Sequence, residues 1–465
     1  MMVSLTNSQE STAIAVVMVP LPMQGHLNPL LHLSAHLATR GIAVHYVSSA
    51  THNRQASQRF HGWNLSSSSS PTSSHLHFHD LPFTSLPLPS PYPSPNSATT
   101  KFPSHHQASF DASTSQLLPH LSPILLSLSL SHRRVVLLHD SSMSFANSAA
   151  SPKIESFSFH TSSAISNLFF LGKSELCQAK LISCFGEEFL DWVWQQRRIP
   201  IAVKGRIFNT CRSIEGEFLN QLSSEPAWKG QRIFAIGPLN PILADRGRSD
   251  ERCLKWLDRQ PVASVVYVSF GTTATMTREQ EKEIAAGLEE SGERFIWVRR
   301  EADRCNIFET EGKEEEEEDS ALAELEERTK GRIVVVRGWA PQLQILAHPS
   351  TGGFLSHCGW NSCMEAMSNG VPILAWPIHS DQPTNTVLVT KILKVGMVVK
   401  EWSDKDEVVA AATVKDAVVK LMVGDEGGEV RKKAREVGES LRAAVVDGGS
   451  SKEDFDEFVN YICRL

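Results

Sequence analysis

The chain has 465 residues and a formal net charge of -7 at pH 7, from 45 Lys or Arg and 52 Asp or Glu residues. This length exceeds what a single hydrophobic core ordinarily supports, so we expect two large domains. The negative balance and the lack of a Lys/Arg-rich run argue against a nucleic-acid partner and favour a small-molecule partner.

The eight cysteines are scattered without a Cys-x-x-Cys pair. This pattern indicates neither a zinc cage nor a disulfide framework, so we expect reduced thiols and a cytoplasmic protein. The apolar run 13–19 ends at Pro20, and no run approaches the roughly 18 apolar residues that a membrane span requires. We therefore expect neither secretion nor a membrane partner, and we expect a monomer.

The first part of the chain predicts a β-α-β unit. Residues 13–19 form a β-rich run, Asn28 followed by Pro29 fits a helix start, and residues 42–47 form the next strand. His26 lies in the predicted loop between the first strand and its helix. Parallel α/β sheets present ligand-binding side chains at this position. Position alone nevertheless favours an ordinary loop histidine over a catalytic one.

A second polar side chain is predicted at the same edge of this sheet. Residues 134–140 have a buried-strand pattern that ends in Asp140. A carboxylate at the carboxyl end of a strand can share a crevice with His26, although Asp140 could also cap the following turn.

Residues 66–113 are rich in Ser, Pro and His, which predicts a long surface loop. Such a loop is either a lid or wall for a ligand or a tolerated insertion. The aromatic run 189–194 predicts core or pocket wall.

The predicted elements divide the chain into two halves. Strand patterns near residues 206–209 and 232–236 precede a stretch that contains Pro, Asp, Gly and Ser, which is typical of a linker. We predict an N-terminal α/β domain at 1–240, a linker at 241–252 and a C-terminal α/β domain at 253–447. A terminal helix at 448–465 is expected to pack back on the N-terminal domain.

The second half opens with another β-α-β unit. Residues 264–269 form a strand pattern, Thr277 and Gln280 fit a capping box, and residues 295–298 form the next strand. Neither first strand is followed by Gly-x-Gly-x-x-Gly, and there is no Walker A sequence. Dinucleotide and nucleoside-triphosphate binding of those types are therefore disfavoured.

Residues 339–382 are the most informative stretch. Two short apolar runs flank a segment that opens at Gly359 and stops at Asn369, which predicts a strand, a helix and a strand. A helix that begins just beyond a strand offers unpaired backbone N–H groups and a positive dipole end. This arrangement is an anion site, and phosphate is its usual occupant.

Two Asp-x-Asp pairs raise the question of a metal. Asp404 with Asp406 and Asp454 with Asp456 have the spacing with which some sugar transferases hold a divalent cation. Both pairs fit helix starts, where acids cap the helix and complement its dipole, so no metal site is expected. The acidic block 311–319 predicts a solvated loop, and we assign it no function.

With these residues in view, the chain resembles the plant family of UDP-sugar-dependent glycosyltransferases that act on small molecules. Residues 339–382 resemble its donor-binding box, with the runs Trp-Ala-Pro-Gln, Gly-Gly-Phe, His-Cys-Gly-Trp-Asn-Ser, Gly-Val-Pro and Asp-Gln. The resemblance implies an α/β fold of two facing Rossmann-like β/α/β domains (GT-B type), with the sugar-nucleotide site in the cleft. Within the family, the chain most resembles the zeatin O-glucosyltransferases. The residues that carry this resemblance lie around His26, His52, His139-Asp140 and 209–218.

The resemblance also assigns roles to side chains of the donor-binding box. Trp339 would stack on the uracil, and Glu365 would accept hydrogen bonds from the ribose. Gln382, the last residue of the box, is typical of family members that use a glucose donor. The other members of the set are Ala340 and Gln342 near the uracil, His357, Gly359, Asn361, Ser362 and Thr272 at the phosphates, and Asp381, Gln382 and Trp360 at the sugar.

The implied reaction moves glucose from UDP-glucose to a hydroxyl of a cytokinin such as zeatin, with inversion, without a metal and without a cofactor other than this co-substrate. His26 would take the hydroxyl proton and Asp140 would orient its ring. The alternative donor is UDP-xylose. The alternative acceptors are another alcohol, a phenol or a glycoside. A sugar-nucleotide epimerase would not need Asp381 with Gln382, and a non-catalytic UDP-sugar-binding protein would have no use for His26 with Asp140.

Overall fold

The computed structural model describes residues 14–59, 63, 71–82, 107–173, 184–198, 203–242, 252–273, 276–299 and 324–464. In these ranges the chain forms two parallel sheets, one of seven strands and one of six. The predicted acidic loop lies outside the described residues, as do most of the predicted Ser/Pro-rich loop and most of the predicted linker.

The first sheet has the strand order β3-β2-β1-β4-β5-β6-β7, and all neighbouring strands are parallel. Its strands are β1 (Ile14–Val19), β2 (Ala43–Ser49), β3 (Leu76–Leu81), β4 (Arg134–Asp140), β5 (Glu155–His160), β6 (Gly205–Phe208) and β7 (Arg232–Ala235). The helices of this half are α1 (Gln24–Ala38), α2 (Ala50–Gln58), α3 (Pro71–His75), α4 (Gln107–Ser131), α5 (Ala164–Phe170), α6 (Glu187–Arg198) and α7 (Arg212–Ser223).

The second sheet has the order β10-β9-β8-β11-β12-β13 and is also parallel throughout. Its strands are β8 (Val265–Ser269), β9 (Arg294–Arg299), β10 (Ile333–Arg337), β11 (Thr351–Ser356), β12 (Ile373–Ala375) and β13 (Gly396–Val398). Its helices are α8 (Arg252–Leu257), α9 (Arg278–Glu290), α10 (Gln342–Ala347), α11 (Trp360–Ser368), α12 (Gln382–Val387), α13 (Ala411–Met422) and α14 (Asp425–Ala444). Short 3-10 turns cover Ser144–Ala149, Pro226–Trp228 and Trp402–Asp404, and a π turn covers Leu388–Ile392.

Each sheet reverses its winding direction at one place. In the first sheet the chain runs outward from β1 to β3 and then returns to β4, which lies on the other side of β1. In the second sheet β8 and β11 are related in the same way. The crevice at such a switch point, beyond the carboxyl ends of the strands, is where open α/β sheets bind ligands. The topology therefore locates one binding crevice on each half.

Helix α1 begins earlier than the sequence indicated. Its first residue is Gln24, so His26 lies in the first turn of the helix instead of the preceding loop, and Pro29 lies inside the helix. Proline has no N–H to donate to the carbonyl four residues earlier, which belongs to Gly25. That carbonyl instead accepts a hydrogen bond from Asn361 Nδ2 at 2.8 Å. The proline predicted to start the helix thus leaves a carbonyl available to the other half of the molecule.

The last helix, α15 (Ser450–Cys463), covers the first sheet. Phe458 is fully buried, with its ring centroid 5.2 Å from that of Phe157 and 5.5 Å from that of Phe234. Burying an aromatic side chain of this size stabilises the fold by about 1.5–3 kcal/mol. The chain therefore crosses back to its first half after completing the second.

The two Asp-x-Asp pairs do not start helices, which corrects the expectation from sequence. Asp404 ends a 3-10 turn, and Asp454 lies inside α15, where it accepts the Ala235 N–H at 2.8 Å and an Arg212 N–H at 3.1 Å. Asp456 pairs instead with Arg40 at 2.6 Å. Asp454 and Asp456 thus turn to different partners. Among the described residues no group of three or more His, Cys, Asp or Glu side chains could hold a metal ion.

Candidate active site

A cavity of about 1010 Å³ lies between the carboxyl ends of the two sheets. His26 and every side chain predicted to bind the donor line it, whereas Asp140 is fully buried next to His26. The residues come from segments that follow β1, β8, β10, β11 and β12, so the two switch points face one common space. The fold thus brings residues from sequence positions 26 to 382 into one site.

His26 and Asp140 form a direct pair across the first switch point. His26 Nδ1 lies 2.7 Å from Asp140 Oδ2 and 3.1 Å from Thr161 Oγ1. The second carboxylate oxygen of Asp140 accepts the Ser142 N–H at 2.8 Å, which fixes the carboxylate. An ionised carboxylate only accepts hydrogen bonds, so Nδ1 carries the proton and Nε2 is left as the basic nitrogen. The His26 side chain retains 24% exposure.

The electrostatic surroundings of His26 favour its protonated form. Burial disfavours the charge, but the charge and hydrogen bond of Asp140, together with the charge of Asp381, outweigh burial and raise the pKa of His26 above its ordinary value. A histidine with a raised pKa is a stronger base and is better able to hold a proton taken from a hydroxyl. This arrangement suits general-base catalysis.

The anion site predicted at the start of α11 is built around His357. Cys358 has a positive φ of 63°, and Gly359 precedes the first helical residue. A Cβ on Gly271 or on Gly359 would lie 2.5 Å from His357 Nε2, so the imidazole fits only between two glycines. Burial, opposed by a backbone hydrogen bond with Ser269, lowers the pKa of His357 to about 4. His357 is therefore neutral at pH 7 and can act as a dipole but not as a cation.

Glu365 and Gln342 form a polar cluster beside Trp339. Gln342 Nε2 donates to Glu365 Oε2 at 2.7 Å and to Ser362 Oγ at 3.1 Å, and Gln342 Oε1 accepts from Tyr267 OH at 3.2 Å. Burial raises the pKa of Glu365 to about 7, although the Gln342 hydrogen bond opposes the shift. A carboxylate held in this way can accept hydrogen bonds from hydroxyl groups in the cavity.

Arg59 is part of this site and was not found from the sequence. It lies just after α2 in the first half, and its guanidinium carbon is 4.3 Å from the centroid of the Trp339 ring in the second half. Such a cation–π contact is worth about 0.5–2 kcal/mol. The contact joins positions 280 residues apart, and no local pattern marks it.

The predicted sugar-binding side chains are held by neighbours within the protein. Gln382 Oε1 accepts the N–H groups of Ile378 at 2.8 Å and His379 at 3.0 Å, so it orders its own loop. The indole N–H of Trp360 donates to the Asn209 carbonyl at 2.8 Å in the other half. Both side chains are nearly buried while still bordering the cavity.

Asn385 is a second residue that the sequence did not indicate. Its Nδ2 donates to Asp381 Oδ2 and to the Cys358 carbonyl, both at 3.0 Å. Its Oδ1 accepts from Ser163 Oγ at 2.7 Å and from Ser166 Oγ at 3.2 Å. Asn385 therefore connects Asp381 and the turn before α11 to helix α5 of the first half.

The aromatic residues of α6 meet both expectations stated for them. Trp192 is 4% exposed, its ring centroid lies 5.2 Å from that of Phe110, and it borders the cavity. Phe189 and Trp194 also border the cavity. These side chains give the first half of the cavity an apolar wall.

No helix of the described part of the chain is long and apolar enough to cross a membrane.

Comparisons with known proteins agree with this geometry. The family model described as "Glycosyltransferase, N-terminal domain" matches residues 12–241, and that described as "UDP-glucoronosyl and UDP-glucosyl transferase" matches residues 248–421. Cis-zeatin O-glucosyltransferase 1 of Zea mays is 41% identical over 476 residues, which cover 97% of this chain and 98% of that protein. Zeatin O-xylosyltransferase of Phaseolus vulgaris is 41% identical over 471 residues, which cover 98% and 99%.

Solved structures confirm the fold. The crystal structure of a ugt transferase from Siraitia grosvenorii in complex with UDP matches with a TM-score of 0.76 at 28% identity, covering 97% of this chain and 100% of that one. The predicted arrangement of two facing Rossmann-like domains, the GT-B fold, is thus correct. The chain belongs to the plant family of UDP-sugar-dependent glycosyltransferases and is a UDP-glycosyltransferase.

Proposed function

We propose that this enzyme transfers glucose from UDP-glucose to a hydroxyl of a cytokinin such as zeatin. The observation that carries the proposal is the contact of 2.7 Å between His26 and buried Asp140, at a cavity shared with the donor box. The names of the two 41% identical relatives support a zeatin-type acceptor. Because one of them is a xylosyltransferase, UDP-xylose is the alternative donor.

The reaction we propose is a direct displacement. The acceptor hydroxyl gives its proton to His26 Nε2 while its oxygen bonds to the anomeric carbon, and the bond from that carbon to the UDP oxygen breaks. Asp140 stabilises the resulting imidazolium. UDP leaves with added negative charge, which the N-terminus of α11 stabilises without a metal. Attack opposite the leaving group inverts the centre, so an α-linked donor gives a β-glycoside.

We assign the donor to the second half of the cavity. Trp339, with Ala340 and Gln342, binds the uracil, and Glu365 accepts from the ribose hydroxyls. The remaining assignments are His357, Gly359, Asn361, Ser362 and Thr272 to the phosphates, and Asp381, Gln382 and Trp360 to the sugar, all of which border the cavity. Residues 1–240 then bind the acceptor and residues 253–447 the donor.

The test incubates the protein with UDP-glucose or UDP-xylose and a panel of alcohols and phenols that includes cis- and trans-zeatin. Mass spectrometry and NMR should show a β-linked zeatin O-glucoside and released UDP. A glycoside formed only from UDP-xylose would make UDP-xylose the donor in place of UDP-glucose. Product formation only with other acceptors would refute the cytokinin assignment. UDP-galactose formed without any acceptor would instead indicate an epimerase.

A further inference from the structure

A guanidinium lines the cavity in the acceptor half, away from the donor box. Arg206, on β6, donates through Nε to Gln231 Oε1 at 2.7 Å and through Nη1 to His160 Nε2 at 3.2 Å. Its guanidinium carbon lies 4.2 Å from the centroid of the Trp228 ring. His160 Nδ1 lies 2.8 Å from Asn167 Oδ1 and donates to it, so His160 Nε2 carries the lone pair. The three described groups that contact Arg206, which are Gln231, His160 and Trp228, are therefore neutral.

The charge of Arg206 has no counter-ion in the described part of the chain. No described Asp or Glu forms an ion pair with it, and burial alone lowers the pKa of Arg206, to about 10. The guanidinium therefore remains charged at neutral pH. Two of its five N–H groups are used, and the other three have no acceptor among the described residues. Arg206 is half-buried, and a partly desolvated cation gains stability when a ligand completes its hydrogen bonds.

Arg206 is well separated from the catalytic pair. The strand order β1-β4-β5-β6 places the Arg206 strand three positions from the strand that leads to His26. Parallel strands lie about 4.8 Å apart, so the two backbones are separated by about 14 Å across the sheet. An acceptor with its hydroxyl at His26 reaches Arg206 only if it is elongated and has a second polar group at its far end.

We propose that Arg206, oriented by Gln231, binds the far end of the acceptor through two adjacent hydrogen-bond acceptor atoms, such as N3 and N9 of an N6-substituted adenine whose ring proton is on N7. A planar guanidinium fork matches two neighbouring acceptors, and the Trp228 ring holds its plane. A carboxylate presents the same pair of atoms and is the other possible source of this chemistry. The choice of a purine rests on the proposed function, whereas the need for a paired acceptor group does not.

The test compares the Arg206→Met variant with the wild type on three acceptors. These are zeatin, the ring-free alcohol 3-methylbut-2-en-1-ol and an aromatic hydroxycarboxylic acid. We expect the KM for zeatin to rise about tenfold or more, the range expected for hydrogen bonds to a charged group, with kcat within about twofold. The KM values for UDP-glucose and for the ring-free alcohol should not change. An effect on the carboxylic acid alone would overturn the purine assignment.

Three further variants separate recognition from folding. Arg232→Met is the matched control, because Arg232 lies on the neighbouring strand, is 52% exposed and does not border the cavity. Gln231→Leu should raise the acceptor KM less than Arg206→Met does. If Arg206→Met lowers the melting temperature strongly, Arg206→Lys keeps the charge and should give an intermediate KM. An equal loss of kcat/KM for all acceptors, or a fall in kcat alone, would overturn the proposal.

The same data distinguish the two levels of inference. If the wild type does not use zeatin, the cytokinin assignment fails, and the comparison is repeated on whichever panel member is glycosylated. A selective rise in that acceptor's KM would then support the Arg206 subsite without the cytokinin assignment. If zeatin is glycosylated and Arg206→Met leaves its KM unchanged, the subsite is refuted while the proposed function stands.

Discussion

At the scale of single residues, our assignment gives His26 a chemical role and little part in donor binding. In the His26→Ala variant, kcat should fall about 10²–10⁴-fold, the usual contribution of a general base. UDP affinity, measured by calorimetry, should stay near the wild-type value, because the donor residues belong to the other sheet. His36→Ala is a suitable control, since His36 lies on the same helix and contacts the Leu239 carbonyl. A collapse of UDP binding in His26→Ala would contradict our division of the cavity.

The pH dependence of the reaction should report the pairing of His26 with Asp140. Burial lowers the pKa of His26 and Asp140 raises it, with a net upward shift. The basic form that accepts the proton is therefore lost as pH falls through this raised pKa, and kcat/KM declines on the acid side. Replacing Asp140 by Asn removes its charge and leaves burial opposed mainly by the charge of Asp381. The acid limb of kcat/KM should then move to lower pH, while its maximum falls.

Local sequence reasoning located His26 and Asp140 but could not find their cross-chain partners. His26 follows one strand and Asp140 ends another, and the rule for parallel sheets brings strand ends together, so their proximity was predictable. Arg59, Arg206 and Asn385 owe their positions to contacts between elements far apart in the chain. Each is an ordinary residue in its own segment. Only the packing of elements that are distant in the chain gives them a role.

At the scale of elements, the turn before α11 depends on the absence of side chains. A Cβ on Gly359 would lie 2.5 Å from His357 Nε2 and 3.2 Å from its ring carbons. We expect Gly359→Ala to displace the imidazole and raise the KM for UDP-glucose about tenfold or more. Gly216→Ala in α7 is the matched control, because its nearest neighbouring atom would be 4.0 Å away. This control should leave the KM unchanged and stabilise the fold by about 0.5–1 kcal/mol.

The start of α1 shows how local rules were outweighed by tertiary contacts. Asn28 and Pro29 have the composition of a helix start, yet the helix begins at Gln24. Gln24 Oε1 accepts from Gln55 Nε2 at 2.9 Å, a contact with α2 that stabilises the earlier turn.

The capping box predicted at the start of α9 is only half formed. Thr277 accepts the Gln280 N–H at 3.2 Å, but the Gln280 side chain bonds to the backbone of Val409.

At the scale of the whole molecule, the two halves are joined by polar contacts that end within the donor box or, at Asn385, just beyond it. Asn361 donates to the Gly25 carbonyl, Trp360 to the Asn209 carbonyl, and Asn385 accepts from Ser163. The strand and helix periods that repeat in each half predicted two α/β domains, and the resemblance to the glycosyltransferase family implied that they face each other across a cleft. The sequence could not predict this relation of the halves, since no periodicity encodes contacts between domains. The contacts between the halves and the proposed donor site therefore share residues.

Asn385 provides the clearest test of that coupling, because all four of its hydrogen bonds are made and it is fully buried. In the Asn385→Leu variant, Asp381 loses a hydrogen bond that opposes the upward shift of its pKa by burial. A larger fraction of Asp381 is then protonated, and a protonated carboxyl group is a weaker hydrogen-bond acceptor for a sugar hydroxyl. The KM for UDP-glucose should rise, and unfolding should become easier by about 1–3 kcal/mol.

The matched control is Asn220→Leu, which changes an exposed asparagine of α7. It should alter neither the KM nor the melting temperature. If Asn385→Leu lowers the melting temperature but leaves the KM for UDP-glucose unchanged, the residue is structural only, and donor binding does not depend on the junction between the halves. A rise in the KM that becomes smaller at higher pH would show that the ionisation of Asp381 carries the effect, because raising the pH restores its carboxylate without restoring the lost contacts.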